Sequence, residues 1–268
     1  MSLDPWMLLA FLALGAVAGV LAGLLGVGGG LVLVAALAWL LPAQGVVPPE
    51  AAMHAALATS LASIVFTAMS SARAHARRGS VLWPTVAWMV PGILVGGWLG
   101  SLVAVGLDGA WLRWGVAIYC LIAATQMLLA KPREAGDAAI VPRGAGMTAA
   151  GGVIGAVSSL VGIGGGSMTV PLLTWRGVVP VRAVGTSSAC GVFIGLASAL
   201  GYALNAPAGA LPAHAVGYVY LPAAICVAMA SVLAAPLGTR IAHAISGPML
   251  KRVFALFLLA VGASFLLP

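Results

Sequence analysis

The chain has 268 residues, 62% of them hydrophobic and only 6% charged, with a formal net charge of +7. Ordinary soluble domains carry roughly 25% charged residues, so this composition excludes a water-soluble globular protein and points to one polytopic membrane bundle. The 12 Lys and Arg scatter over loop ends and form no stripe, which argues against a nucleic-acid partner.

Eight apolar segments are expected in chain order, at about 5–41, 51–72, 80–106, 110–130, 146–175, 181–204, 213–242 and 247–267. The first follows Asp4 and no basic residue, so it lacks the positive region of a cleavable signal peptide and is expected to stay in the protein. Taken as one helix, 5–41 would measure about 55 Å, too long for roughly 30 Å of hydrocarbon. It is expected to fold back at its glycine cluster, Gly26 to Gly30, within "GLLGVGGGLVLVAAL". Consecutive glycines weaken a helix and serve no single packing face. By contrast, Gly15, Gly19 and Gly23, then Gly92, Gly96 and Gly100, and Gly191 with Gly195 have the small-xxx-small spacing of close helix packing.

The second segment is bracketed by His54 and His75. His75, amid Arg73, Arg77 and Arg78, reads as a solvated basic end, while His54 suits either interface packing or proton handling. After the fourth segment comes "KPREAGDAAIVPRG", Lys131 to Gly144, a charged, proline-containing aqueous linker. The fifth segment then repeats the glycine cluster as "SLVGIGGGSMTVPLL". Cys120, Cys190 and Cys226 stand singly in apolar segments without metal-ligand spacing and read as packing residues.

The two sides of the linker repeat each other. Gly26, Gly28, Gly29 and Gly30 recur 136 positions later as Gly162, Gly164, Gly165 and Gly166. "ALATS" (56–60) recurs as "AVGTS" (183–187), "GSVLWP" (79–84) answers "GYVYLP" (217–222), and "WLRWGVAI" (111–118) answers "MLKRVFAL" (249–256). Four ordered matches indicate an internal duplication. Basic residues reverse their bias in every matched loop: Arg176 and Arg182 answer none, Arg73, Arg77 and Arg78 are answered by none, and Arg113 with Asp108 is answered by Arg240, Lys251 and Arg252. Basic loops favour the cytoplasm, so the halves are expected to be inverted copies.

The expected fold is therefore an all-α polytopic membrane protein of two inverted-topology repeats. Each is a glycine-tipped, broken or re-entrant hairpin plus three transmembrane helices, seven or eight helices by usual counting. Residues 1–130 form the N-terminal repeat, 131–145 a cytoplasmic linker and 146–268 the C-terminal repeat, with both termini outside.

Irregular backbone inside a bilayer is tolerated where it lines a cavity. A helix resuming after a glycine break offers unpaired N–H groups and the positive end of its dipole, and glycine lets an anion approach closely. Gly28, Gly29, Gly30, Gly164, Gly165 and Gly166 are therefore candidate substrate-binding residues. Thr59 and Ser60, matched by Thr186 and Ser187, could donate to an oxyanion, or could bond their own i−4 carbonyls instead. Ser158, Ser159, Ser167 and Thr169 flank the second break with weaker claims, and Arg182, His54 and Ser167 are candidates for the pathway or coupling. Asp4, Glu50, Asp108, Glu134 and Asp137 all read as segment ends or loops, which leaves no buried carboxylate as proton relay or cation site.

The paired G-x-GGG motifs, each followed by a Thr-Ser helix start in a duplicated chain of this length, resemble the TauE/SafE sulfite exporters, also called the toluene-sulfonate uptake permease family. The second copy, "GIGGGSMTVPLL" then "RAVGTSS", fits best; the first has Ala35 where Pro171 stands and the looser "ALATSL". The resemblance implies a multi-pass transporter of the bacterial inner membrane that exports sulfite or a related sulfonate anion by alternating access. An anion-conducting channel and an intramembrane serine enzyme are the alternatives. The enzyme would need a histidine inside a span, where none is expected, so no catalytic residue is assigned. No cofactor or metal is expected. The partners are a small sulfur oxyanion and the lipid bilayer, with a homodimer left open.

Overall fold

The structure is a computed structural model that describes residues 5–26, 29–129, 140–211, 214–242, 244 and 247–266. Gly28 and most of the expected linker at 131–145 lie outside the described residues. The described residues form ten α-helices. Those before the linker are α1 (Pro5–Leu25), α2 (Gly30–Ala43), α3 (Ala52–Ala76), α4 (Trp83–Val105) and α5 (Gly109–Leu129). Those after it are α6 (Ala145–Val161), α7 (Gly166–Trp175), α8 (Pro180–Leu204), α9 (Leu221–Ala242) and α10 (Gly247–Leu266). Eight apolar segments become ten helices because the first and fifth each divide at their glycines. The seventh segment differs from expectation at its start: a short antiparallel pair, β1 (Ala215–Val216) and β2 (Val219–Tyr220), precedes α9.

Five of the helical stretches are long and apolar enough to cross a bilayer: Pro5–Leu25, Pro49–Ala76, Trp83–Val105, Pro180–Leu204 and Leu221–Ile241. The outer surface is apolar, with Leu99, Val103, Trp114, Ile122 and Leu233 all exposed. Contiguous apolar surface of this kind is stable against lipid and not against water. Trp6, Trp39, Trp83, Trp111 and Trp175 stand exposed near helix ends, where amphipathic rings meet headgroups. The protein is a multi-pass membrane protein.

Small residues set the packing. Gly15, Gly19 and Gly23 of α1 lie against the backbones of Val227, Ser231 and Ala235 on α9. Gly92, Gly96 and Gly100 of α4 lie against Thr148, Gly152 and Ala156 on α6. A Cβ at any of these six positions would strike the partner helix's carbonyl oxygen, so both seams depend on glycine. The contacts advance together along each pair, so α1 runs parallel to α9 and α4 to α6. At the centre, Gly191 of α8 faces Ala68 while Gly195 faces Leu61 and Val65, which makes α3 and α8 antiparallel. Helix α3 also packs along α9, α8 along α4, and α5 on α10.

Candidate functional site

Both glycine clusters break their helices with the same backbone. Gly26 and Gly29 at the first break have φ of 68° and 68°, and Gly162 and Gly165 at the second have 75° and 73°. All four are in the left-handed region, which costs an L-residue roughly 1–2 kcal/mol, so each break needs two glycines three positions apart. The chain then turns back. Gly29 lies against the backbone of Ala18, and Gly165 lies against Ile154, each partner 11 residues earlier and about two turns up the preceding helix. The breaks also meet: Gly30 abuts the carbonyl oxygen of Gly162 and, at 2.9 Å from its ideal Cβ position, the Cα of Ile163. Gly29, Gly30 and the whole run Gly162 to Gly166 are buried.

Helix α7 resumes with its first bonds from Met168 N and Thr169 N to Gly165 O, at 3.1 and 2.8 Å. The amides of Gly166 and Ser167 therefore lie ahead of the helical ladder, at the positive end of the helix dipole. In the first break, Leu33 N reaches Gly29 O at 3.3 Å, leaving Gly30 and Leu31 in the corresponding place.

The Thr-Ser pairs hold these breaks from the opposite half of the chain. Ser60 Oγ donates to Gly162 O at 2.9 Å and lies 3.3 Å from Gly30 O, so one hydroxyl touches both breaks. Ser187 Oγ donates to Gly26 O at 3.0 Å. Thr59 Oγ1 accepts the Tyr220 N–H and Thr186 Oγ1 accepts the Leu82 N–H, each at 3.0 Å. The extended stretches entering α4 and α9 are thus capped by threonines from the other half. All four side chains are buried.

His75 is not a solvated end. It is fully buried, and its Nε2 donates to Gly23 O, at the end of α1, at 3.2 Å. Helical geometry explains the difference: Arg73 and Arg77 share one exposed face, while His75 projects from the opposite side. A histidine therefore does lie within a long apolar helix. Tyr202 of α8 plays the matching part at the second break, donating its hydroxyl to Ser159 O at 3.1 Å. One signal for His75 was legible in sequence: Thr59, Ser63, Thr67, Ser71 and His75 recur every four residues along α3, and all five are buried.

His54, at the start of α3, lies apart from the breaks. Its Nε2 faces Leu107 O at 2.9 Å and Ala104 O at 3.2 Å, so Nε2 must carry the proton, and the ring stacks on Tyr218 with centroids 4.7 Å apart. Arg182 sits half-buried in the first turn of α8, one turn before Thr186. Ser167 shares a hydrogen bond with Tyr119 of α5.

The family model described as Sulfite exporter TauE/SafE matches residues 11–265. The chain belongs to this family. A Haemophilus influenzae protein described as "Probable membrane transporter protein" is 35% identical over 263 residues, covering 97% of this chain and 98% of that one. A Xylella fastidiosa protein with the same description is 31% identical over 256 residues, covering 92% and 90%. No solved structure matches the chain. The protein is a membrane transporter of the TauE/SafE family, placed in the inner membrane.

In this TauE/SafE member the two breaks differ in chemistry. Ser158 and Thr169, on the helices either side of the second break, are fully buried, and neither hydroxyl has a hydrogen-bond partner. An unsatisfied buried hydroxyl costs about 1–3 kcal/mol. Neighbouring Ser159 shows the ordinary outcome, bonding Gly97 O, Gly155 O and Ser198. Among the described residues no three His, Cys, Asp or Glu side chains converge into a metal-binding group.

Proposed function

We propose that this protein moves a small sulfur oxyanion, sulfite or an organosulfonate, outward across the inner membrane by alternating access. The anion is held where the two glycine breaks meet, by amides of Gly28, Gly29 and Gly30 from one side and Gly164, Gly165 and Gly166 from the other. Ser60 and Ser187 fix the breaks in register, and Thr59 and Thr186 pin the stretches that lead into α4 and α9. The observation that carries this proposal is the contact of Gly30 with Gly162 between two left-handed breaks, each opening a helix N-terminus. Such ends contribute about 0.3–1 kcal/mol each to a bound anion when exposed and up to about 2 when partly buried, without a fixed charge that would hold the anion too tightly to release.

Residues 1–130 and 146–268 form two inverted repeats in this proposal. The antiparallel course of α3 and α8 supports it, as do matched bonds such as Ser60 to Gly162 and Ser187 to Gly26. The glycine seams α1–α9 and α4–α6 each join the halves, and one half rocks against the other around the two glycine breaks.

The test is counterflow in purified vesicles with sulfite, thiosulfate, sulfoacetate and sulfate, with and without a pH gradient. Saturable counterflow of sulfite or sulfoacetate is expected, abolished by Gly29→Val and Gly165→Val in protein that still elutes as a single folded species. Wild-type vesicles that move none of these anions, or valine variants that keep full counterflow, would overturn the proposal.

A further inference from the structure

We infer that the two breaks contribute unequally to the one anion they hold: the hydroxyls of Ser158 and Thr169, both at the second break, are its side-chain ligands. This rests on the transport proposal above and specifies its ligands. Three observations converge. The side chains of Ser158 and Thr169 are fully buried and their hydroxyls have no partner, whereas Ser63, Thr67, Ser159, Ser188, Ser231 and Thr239 each reach a carbonyl in their own helix. Ser158 Oγ lies 3.3 Å from the position a Cβ would take on Gly165, so the hydroxyl is aimed into the break beside the start of α7. At the 136-residue offset the first break has Ala22 and Leu33 in place of Ser158 and Thr169, and Leu31 in place of Ser167.

The first break thus offers backbone amides with apolar side chains beside them, and the second adds two free hydroxyls to its amides. Two hydroxyl donors and the leading amides of α7 suit a ligand with several acceptor oxygens on one centre, such as sulfite or a sulfonate headgroup. Ile154 and Ile194 now close over Gly165, so they are the side chains that withdraw to admit the anion.

The experiment measures sulfite transport and melting temperature for Ser158→Ala, Thr169→Val and the double variant, with Ser63→Ala as a structural comparison. A hydrogen bond to a charged group contributes enough that each single change should raise the half-saturating sulfite concentration about tenfold or more. Melting temperature should stay level or rise, because the deleted hydroxyl had no partner to lose. Ser63→Ala should do the reverse, lowering the melting temperature and leaving half-saturation unchanged. A double variant with unchanged half-saturation overturns the inference, whether its melting temperature falls or holds. If Gly165→Val is inactive in that same series, the transport proposal stands and only the assignment of these ligands fails. Wild-type protein that moves no sulfur oxyanion ends both.

Discussion

Ser60 and Gly162 are 102 residues apart in the chain, yet the serine hydroxyl donates to the glycine carbonyl at 2.9 Å in the middle of the bundle. The bond ties a continuous helix of one half to the broken helix of the other. It satisfies a carbonyl that the break has released from the α6 ladder.

Removing that hydroxyl leaves the buried Gly162 carbonyl short of a donor, while Gly30 O keeps its place in the α2 ladder. Ser60→Ala should lower stability by about 1–2 kcal/mol, seen as a lower melting temperature in detergent. Ser187→Ala, which frees Gly26 O, should cost a similar amount.

His75 and Tyr202 offer a sharper pair. Tyr202→Phe deletes only the oxygen that reaches Ser159 O, and should cost roughly 1 kcal/mol with packing retained. His75→Leu should cost at least as much by stranding Gly23 O. Denaturation midpoints unaffected in both would show that neither side chain caps its broken helix.

Glycine substitutions should split by environment. Gly96→Val drives a side chain into the Gly152 carbonyl and should destabilise by roughly 1–3 kcal/mol or prevent folding. Gly115 has open space around it on α5, so Gly115→Ala should stabilise by about 0.5–1 kcal/mol through helix propensity alone. Parallel melts of the two variants check the opposite signs.

The inverted arrangement predicts sidedness. In a background with Cys120, Cys190 and Cys226 replaced, Arg78→Cys should react with an impermeant thiol reagent only from the cytoplasmic face. Ala208→Cys, in the matching loop of the other half and likewise exposed, should react only from the opposite face. Labelling of both from one side would rule out inversion.

Much of this architecture was legible because glycine and charge report backbone needs directly. The breaks at Gly26 to Gly30 and Gly162 to Gly166, and the small faces of Gly15, Gly19, Gly23, Gly92, Gly96 and Gly100, follow from what only glycine can do. The partners were not legible. Nothing in "ALATS" says whether the hydroxyl of Ser60 serves a ligand or the Gly162 carbonyl, because that depends on which helix crosses it. His75 misled for the same reason: its basic neighbours describe the exposed side of the turn, while its own face is decided by α1. Ser158 and Thr169 look in sequence like any helical hydroxyls, and only the absence of a partner sets them apart.

The seam between α1 and α9 carries a consequence for how the protein is made. Val227 to Ala235, the surface that Gly15, Gly19 and Gly23 require, is synthesised some 212 residues after the glycines themselves. Helix α1 therefore waits beside lipid, its grooved flank unoccupied, until α9 has been made. Chains truncated before α9 would leave that flank without the surface it is shaped to meet.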